Sequence, residues 1–356
     1  MSAVHNVLIF PAGEMNSAEL HEALSGQVNI KVFGASSVER HGRHLFERYR
    51  SGLPFTSNQD FLSALNALVQ EWGIDLIIPS HDSVVDFFSD NRDLINTKIL
   101  VPGIETAKIC RSKRLTYEVF GDCDFVPYRY LAPPQGRVQV FVKPDKGQGS
   151  VGARLVEFSP GQDLPVIDWA DEVVTEYLPG DELTVDCFTD RHGALLGIFP
   201  RSRDRVLGGI SVSGLSIDAT AEIEALGRAI NDRLDFLGLW YFQVKRSAQG
   251  AYKLMEISAR CAGGQAITRA RGFNLPVLSV YAAMDRDVRL PKGRPGARVD
   301  RVFKNISDFD FEYDEVFIDY DDCVINGSKT NPDLMRFLYQ CKNLGKETIL
   351  ITKHSG

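Results

Sequence analysis

Residues 141–153 read FVKPDKGQGSVGA: a run of alternating apolar positions ending in Lys143, then a loop with Gly147, Gly149 and Gly152 inside six residues. Glycine lacks a Cβ, so such a loop turns tightly and presents its N–H groups to an anion's oxygens. Lys143 and Lys146 add positive charge at the same place, the combination that phosphate chemistry requires. A plain β-turn would use similar residues, so the loop gains its meaning from what flanks it.

Outward from the loop the texture is antiparallel. VQVFVKP (138–144), ARLVEF (153–158), VVTEYLPG (173–180) and LTVDCFTD (183–190) alternate apolar and polar positions, which predicts a small strand-rich domain. Tyr177, Leu178 and Pro179 offer apolar surface to a flat base, and Glu182 is a carboxylate able to accept paired hydroxyl donors. A purely structural strand pair shows the same pattern. Further on, a helix is expected near 221–234, followed by strands WYFQVKR (240–246) and AYKLMEI (251–257) joined by a turn at 247–250. Glu256 stands among Leu254, Met255 and Ile257, where an inward carboxylate is costly unless paired or metal-bound. Gln243 faces the same place across the hairpin, and both supply the hard oxygen donors that magnesium prefers. Arg201 and Arg203, two apart, share one strand face and precede Gly208, Gly209 and Gly214; a substrate-facing loop and a solvated basic edge both fit. Gly263 and Gly264 read either as a pocket floor or as a tight turn.

Upstream, NVLIF (6–10), the run at 30–33 and the run at 76–79 alternate with helical patterns at 14–24 and 58–72, which implies a parallel sheet. The turn PAGEMN lacks the GxGxxG spacing of a dinucleotide site. Ser80, His81 and Asp82 follow the third strand at its carboxyl end, where open parallel sheets hold ligands; capping of the next helix explains them equally well.

In order along the chain, Lys113, FVKPDKGQGSVGA, EYLPGDELTVD (176–186) and MEISAR (255–260) resemble the ATP-grasp superfamily, with a texture similar to the carbamoyl phosphate synthetase large subunit. The resemblance extends over residues 4–290. It implies an α/β and α+β chain: a parallel N-terminal α/β (pre-ATP-grasp) domain at 1–105, and a two-lobed ATP-grasp fold. The small lobe would cover 106–185 with the Gly-rich loop, and the large lobe 186–290 with a metal site. A Pro-, Gly- and Arg-rich linker would follow at 291–304. The resemblance further implies that Lys113 and Lys143 contact ATP phosphates while Gly147, Gly149, Ser150 and Gly152 close over them. Glu176, Tyr177 and Leu178 would hold adenine and Glu182 the ribose. Gln243, Glu256 and Ser258 would hold Mg2+, with Mn2+ an allowed substitute. Arg260 would steady the γ-phosphate and the acyl phosphate, its fixed fork of donors suiting that task, with Arg201 and Arg203 near the substrate. Ser258 stands where the family has asparagine, which implies altered metal affinity.

Residues 315–325, EVFIDYDDCVI, resemble the first motif of the haloacid dehalogenase superfamily, with Asp319 as phosphoryl acceptor and Asp321 as acid/base. ETILITK (347–353) resembles the second motif, which implies that 305–356 is a short α/β segment like the start of that fold. The family's later lysine and final acidic segment find no counterpart here.

The chain carries 47 acids against 40 bases, a formal net charge of −7, which disfavours a general nucleic-acid binder. No run approaches the ~20 apolar residues that span a bilayer, so no membrane partner is expected and the cytoplasm is the default location. Cys110, Cys123, Cys187, Cys261, Cys323 and Cys341 lie far apart with no CxxC pair, as expected of reduced thiols. The expected activity is an ATP-dependent carboxylate–amine (or carboxylate–thiol) ligase acting on small molecules through an acyl phosphate, releasing ADP and phosphate, with a homodimer as the candidate assembly. A phosphatase or phosphotransferase working through Asp319 and an ATP-binding protein without turnover are the alternatives.

Overall fold

The structure, a computed structural model, describes residues 3–161, 166–302, 305–306 and 311–353. The chain divides into two units, Met1–Val302 and Phe303–Gly356.

The first unit opens with β1 (His5–Phe10), α1 (Met15–Leu24), β2 (Ile30–Ala35), β3 (Arg48–Arg50), α2 (Phe61–Trp72), β4 (Leu76–Pro79), α3 (Asp82–Asp90) and β5 (Lys98–Ile99). The strands form the expected all-parallel sheet in the order β3-β2-β1-β4-β5. β1 is apolar from Val7 to Phe10 because both its faces are covered there: Leu8 and Phe10 pack with Phe61, Leu65 and Phe88, while Val7 and Ile9 pack with Leu20, Leu24 and Leu239. The chain order reverses between β1 and β4, which opens a crevice at their carboxyl ends. There Ser80 ties the two strands, its N–H donating to Phe10 O at 2.9 Å and its hydroxyl to Pro11 O at 2.7 Å. The helix expected from residue 58 starts at Phe61, because Asn58 is used in the turn before it: its side chain accepts from Asp60 N at 2.9 Å.

Two helices, α4 (Ile104–Arg111) and α5 (Lys113–Val119), lead to β6 (Arg129–Tyr130), β7 (Val138–Pro144), β8 (Arg154–Phe158) and β9 (Glu172–Glu176). These strands form an antiparallel sheet in the order β6-β9-β7-β8, with Val140, Val142, Phe158 and Val174 as its core.

β10 (Glu182–Thr189), β11 (Leu195–Ser202), β12 (Arg205–Leu207), β13 (Ile210–Leu215), α6 (Ala221–Arg233), β14 (Gly238–Arg246) and β15 (Tyr252–Ser258) come next. A four-stranded antiparallel sheet, β11-β10-β14-β15, results. The boundary expected at residue 185 falls inside β10, which pairs along its length with β11 and β14 and so belongs wholly to this sheet. Leu183, Val185, Trp240, Phe242, Val244 and Ile257 pack with Ile223, Leu226 and Ile230 of α6. Period-two alternation therefore sends Glu182, Thr184, Asp186, Tyr241, Gln243 and Ser258 to the opposite face. A bulge at Gln243/Val244 pairs Gln243 with Glu256 but Val244 with Leu254, so Met255 is the extra residue. That extra residue lets Leu254 join the core while Glu256 stands on the polar face.

α7 (Ala266–Ala270) and α8 (Leu275–Ala283) close this part against β14 and α1. Within the stretch read as a linker, β16 (Arg298–Asp300) pairs with β13. Arg301 then donates to the buried Glu19 of α1 at 2.7 Å. Residues 303–304 of the expected linker lie outside the described residues.

The second unit holds β17 (Glu315–Asp319), the short pair β18 (Ile325–Asn326) and β19 (Lys329–Thr330), α9 (Pro332–Asn343) and β20 (Glu347–Ile351). β17 and β20 are parallel with α9 as the crossover, and Asn331 caps α9 by accepting from Asp333 N and Leu334 N. The last residues of the segment expected at 305–356, 354–356, lie outside the described residues. All six cysteines are free. Among the described residues no helix is long and apolar enough to cross a membrane.

Candidate active site

Two adjoining cavities, about 330 and about 310 Å3, lie in the first unit and share Lys113, Gly147, Gln148, Gly149, Arg203, Gln243 and Glu256 in their walls. The larger has the small sheet on one side: Lys143 from β7, the loop after it, and Thr175 to Leu178 at the end of β9. On the other side it has Glu182, Lys245 and the β15 residues Leu254 to Glu256.

Lys143 is 6% exposed and donates to Tyr117 Oη at 2.6 Å and to Met255 O at 3.2 Å. Burial pushes its ammonium down to about 7, with the neighbouring Lys113 adding to the effect and Glu256 and Glu182 opposing it. An anion entering the cavity would restore its charge. Lys113 donates to Asp145 O at 3.3 Å and Gly147 O at 3.4 Å, so the helix α5 and the Gly-rich loop are tied at its root. Ser112 caps α5 and also donates to Asp145, whose carboxylate accepts from Arg114 N at 2.8 Å. Gly149 and Ser150 adopt left-handed φ of 63° and 59°, a conformation that costs glycine nothing and is uncommon for serine. Gly152, with φ 75°, packs on Pro144 at the end of the loop and lines neither cavity.

At the base-sized end, the Glu176 carboxylate accepts from Tyr128 N at 2.9 Å, which leaves Tyr177 and Leu178 on the cavity wall. Glu182 pairs with Arg203 at 2.7 Å, so a ribose would compete with that guanidinium for its carboxylate. Gln243, with its amide turned to satisfy both neighbours, accepts from Arg203 Nη1 at 3.0 Å and donates to Glu256 at 3.3 Å.

The second cavity joins the polar face of the large sheet to the crevice between β1 and β4, with Asn16, His81, Asp82 and Arg111 on the far wall. Arg260 donates to Asp82 Oδ2 at 2.6 Å and Ser258 donates to Asp82 Oδ1 at 2.7 Å. Burial alone would raise the Asp82 carboxyl; Arg260, with help from Ser258 and His81, holds it below the ordinary aspartate range. His81 caps α3, contacts Gln148 of the loop, and is held below the usual histidine value mainly by burial. Arg201 is buried against Asp186, and Thr268 donates to the same carboxylate at 2.7 Å.

The chain thus gathers Lys113, Lys143, Gly147, Gly149, Ser150, Glu176, Tyr177, Leu178, Glu182, Arg201, Arg203, Gln243, Glu256, Ser258 and Arg260 around two joined cavities. Asp319 and Asp321 stand in the second unit, where Asp321 N–H donates to Asp319 Oδ1 at 3.3 Å and Lys353 pairs with Asp321 at 3.4 Å. A phosphoryl-acceptor role there is carried by the sequence alone. Residue-level reading missed Tyr117, although its place four residues after Lys113 puts both on one face of α5. It also missed Asn16 and Arg111, for which no motif exists.

For the metal, the described residues contain no group of three or more His, Cys, Asp or Glu close enough to hold an ion. Magnesium between nucleotide phosphates needs only one or two carboxylates, and Glu256 with the oxygens of Gln243 and Ser258 fits that demand. Ser258 gives its hydrogen to Asp82, and its oxygen also meets the Tyr241 hydroxyl.

A small antiparallel sheet with a Gly-rich loop facing the polar side of a second sheet, beside a parallel α/β domain, is the fold of the ATP-grasp class. Residues 168–304 match the family described as ATP-grasp in the biosynthetic pathway with Ter operon. No curated protein matches the chain. The chain is similar in structure to N5-carboxyaminoimidazole synthetase from Staphylococcus aureus complexed with ADP, with TM-score 0.64 and 13% identity over 82% of this chain and 80% of that one. The biotin carboxylase domain dimer of 2-oxoglutarate carboxylase from Hydrogenobacter thermophilus, in complex with MgADP, ADP and bicarbonate, gives 0.62 and 12% over 82% and 72%. L-amino acid ligase from Bacillus licheniformis gives 0.59 and 15% over 80% and 75%.

Proposed function

We propose that the protein is an ATP-dependent ligase that joins a carboxylate to an amine or similar nucleophile through an acyl phosphate. The supporting observation is the pair of joined cavities: a base- and phosphate-sized one lined by Lys113, Lys143 and Glu182, and an arginine-rich one ending at Arg260, with Gln243 and Glu256 at the seam. ATP fits the first and an acid the second, which brings the γ-phosphate to the acid at the seam. The fold relatives named above, a synthetase, a carboxylase domain and a ligase, agree with this reading. Narrower kinship with carbamoyl phosphate synthetase rests on the sequence texture alone.

In this reading Lys113 and Lys143 neutralise phosphate oxygens, and the loop 147–152 covers them and excludes water. Tyr117 and Met255 O hold the Lys143 ammonium in place. Arg260, kept in position by Asp82, steadies the acid's oxygens. A carboxylate oxygen bonds to the γ-phosphorus as that phosphorus parts from the bridging oxygen, and ADP leaves with the electron pair. The nucleophile's nitrogen then bonds to the acyl carbon, gives up a proton, and phosphate departs. Glu256, Gln243 and Ser258 would hold Mg2+, which would supply charge neutralisation for the phosphates; Gln243 would first have to release its amide oxygen from Arg203.

The test is product analysis with ATP, a panel of acids, and hydroxylamine as a general trap for acyl phosphates. Acid-dependent ADP and hydroxamate are expected, whereas AMP and pyrophosphate would overturn the mechanism. A nucleotide binder without turnover is the second reading, motivated by Ser258 being engaged by Asp82; ATP binding without ADP release across the panel would favour it.

A further inference from the structure

Arg201 is 1% exposed and its guanidinium is only partly used. Nε and Nη2 donate to Asp186 at 3.0 and 3.3 Å, while Nη1 is buried without any hydrogen-bond partner. Asp186 is fully engaged, since Thr268 donates to it as well. Nη1 lies against Gly264, where a Cβ would come within 2.4 Å of it, and both residues line the second cavity. A buried guanidinium N–H without an acceptor marks a place that an acceptor is expected to fill, and charge-assisted bonds to such a group are strong.

Arg201 cannot serve the end of the acid that is activated. It stands in one row with Thr184, Gln243 and Glu256, at the opposite edge of the sheet from Glu256. Its guanidinium leans over β10 to reach Asp186, which leaves it two strand spacings, roughly 10 Å, from the β15 column. Arg260, whose Nε is likewise buried and without a partner, lies over the Tyr241 ring of β14 and is held by Asp82, whereas Arg201 is held by Asp186. The cavity therefore has two separate cationic ends.

We propose that Arg201 Nη1 and the Gly264 turn bind a second anionic group of the acid substrate, so that the substrate is a dianion whose two acidic groups are separated by a short chain. This rests on the ligase reading, in which the second cavity holds the acid. The second group is a carboxylate or a phosphoryl group, both of which present oxygens to one guanidinium N–H pair. Gly264 is glycine because a Cβ there would run into the Arg201 guanidinium itself.

The test separates binding from turnover. Protein loaded with Mg·ADP is titrated calorimetrically with succinate, 3-phosphonopropionate and butyrate. The two dianions are expected to bind about ten- to a hundredfold more tightly than butyrate, the range that one charge-assisted bond gives. The tighter of the two identifies the kind of second group. Arg201→Lys, which keeps a cation beside Asp186, should reduce that preference to within about threefold while butyrate and ADP binding stay as they were. Gly264→Ala sets a methyl against Nη1, so the guanidinium must shift, and should abolish the same preference. Equal binding of dianion and monoanion, an equal loss for both in either variant, or no dianion binding by protein that holds Mg·ADP would overturn the inference. Dianion binding without acid-dependent ADP release would leave the anion site standing and sink the ligase reading instead.

Discussion

Asp82 and Arg260, 178 residues apart in the chain, meet at 2.6 Å across the crevice between the parallel sheet and the polar face of the large sheet. Both are largely buried, and the same carboxylate takes the Ser258 hydroxyl through its other oxygen. The N-terminal domain therefore sets the direction of the arginine that faces the acid, and it does so from the carboxyl end of β4, where parallel sheets ordinarily hold ligands.

Asp82→Asn keeps the shape but gives up the charge that orients Arg260. Losing a charge-assisted bond of about 1.5–3 kcal/mol should lower kcat for ADP release roughly ten- to a hundredfold, with KM for ATP little changed. Steady-state kinetics decide it: a kcat near that of the parent protein would remove Asp82 from the site.

Lys143 carries a pH signature. Its ammonium, brought down to about 7 by burial, is mostly neutral at pH 8 and must regain its proton when phosphate oxygens arrive. ATP binding should take up as much as one proton per nucleotide between about pH 7 and 9, read by calorimetry in buffers of different ionisation enthalpy. Uptake should vanish in Lys143→Met. The sign for stability follows from the same shift. Between about 7 and the ordinary lysine value of 10.5 the unfolded chain holds more protons, so the nucleotide-free protein gains stability as pH rises through that window. A flat melting profile in parent and variant alike would contradict the assignment.

Gly209, at φ 78°, lies flush against the loop: a Cβ there would come within 2.4 Å of the Gly149 backbone. Gly209→Ala should push the Gly-rich loop outward and raise KM for ATP about tenfold or more, with faster proteolytic cleavage near residues 147–152. Cleavage and KM at parent levels would mean that loop and hairpin need not touch.

Glu256 is the single carboxylate among the three groups assigned to magnesium. Glu256→Gln should raise the half-saturating Mg2+ concentration for ADP release at least tenfold while leaving metal-free ADP binding intact. An unchanged Mg2+ requirement would place the metal elsewhere.

Much of this was legible from residue order. The apolar runs VLIF and LIIP, alternating with helical patterns, imply a parallel sheet, and β1 and β4 sit side by side in one. The loop after Lys143 and the carboxylate in MEISAR carry local chemistry that short motifs preserve. What stayed hidden depends on long-range register. The bulge at Gln243/Val244 that turns Glu256 to the polar face leaves no compositional mark. Ser258 is a hydroxyl in sequence, and only the arrival of β4 against the large sheet gives it Asp82 as a partner. Arg201 reads as one of two neighbouring arginines; that it is buried on Asp186 with one donor left over follows from the pairing of β10 with β11.

The strand at 298–300 has a bearing on where this protein can be cut. β13 belongs to the hairpin that carries Gly209 and follows Arg203, and it is stitched from behind by β16, with Arg205 bonded to Asp300 and Arg301 anchored on Glu19. A fragment ending at 302 keeps that seam, whereas one ending at 290 leaves the hairpin with a raw edge and Glu19 short of a cation. The mouth of the cavity is thus finished by the very stretch that a domain map drawn from composition would trim away.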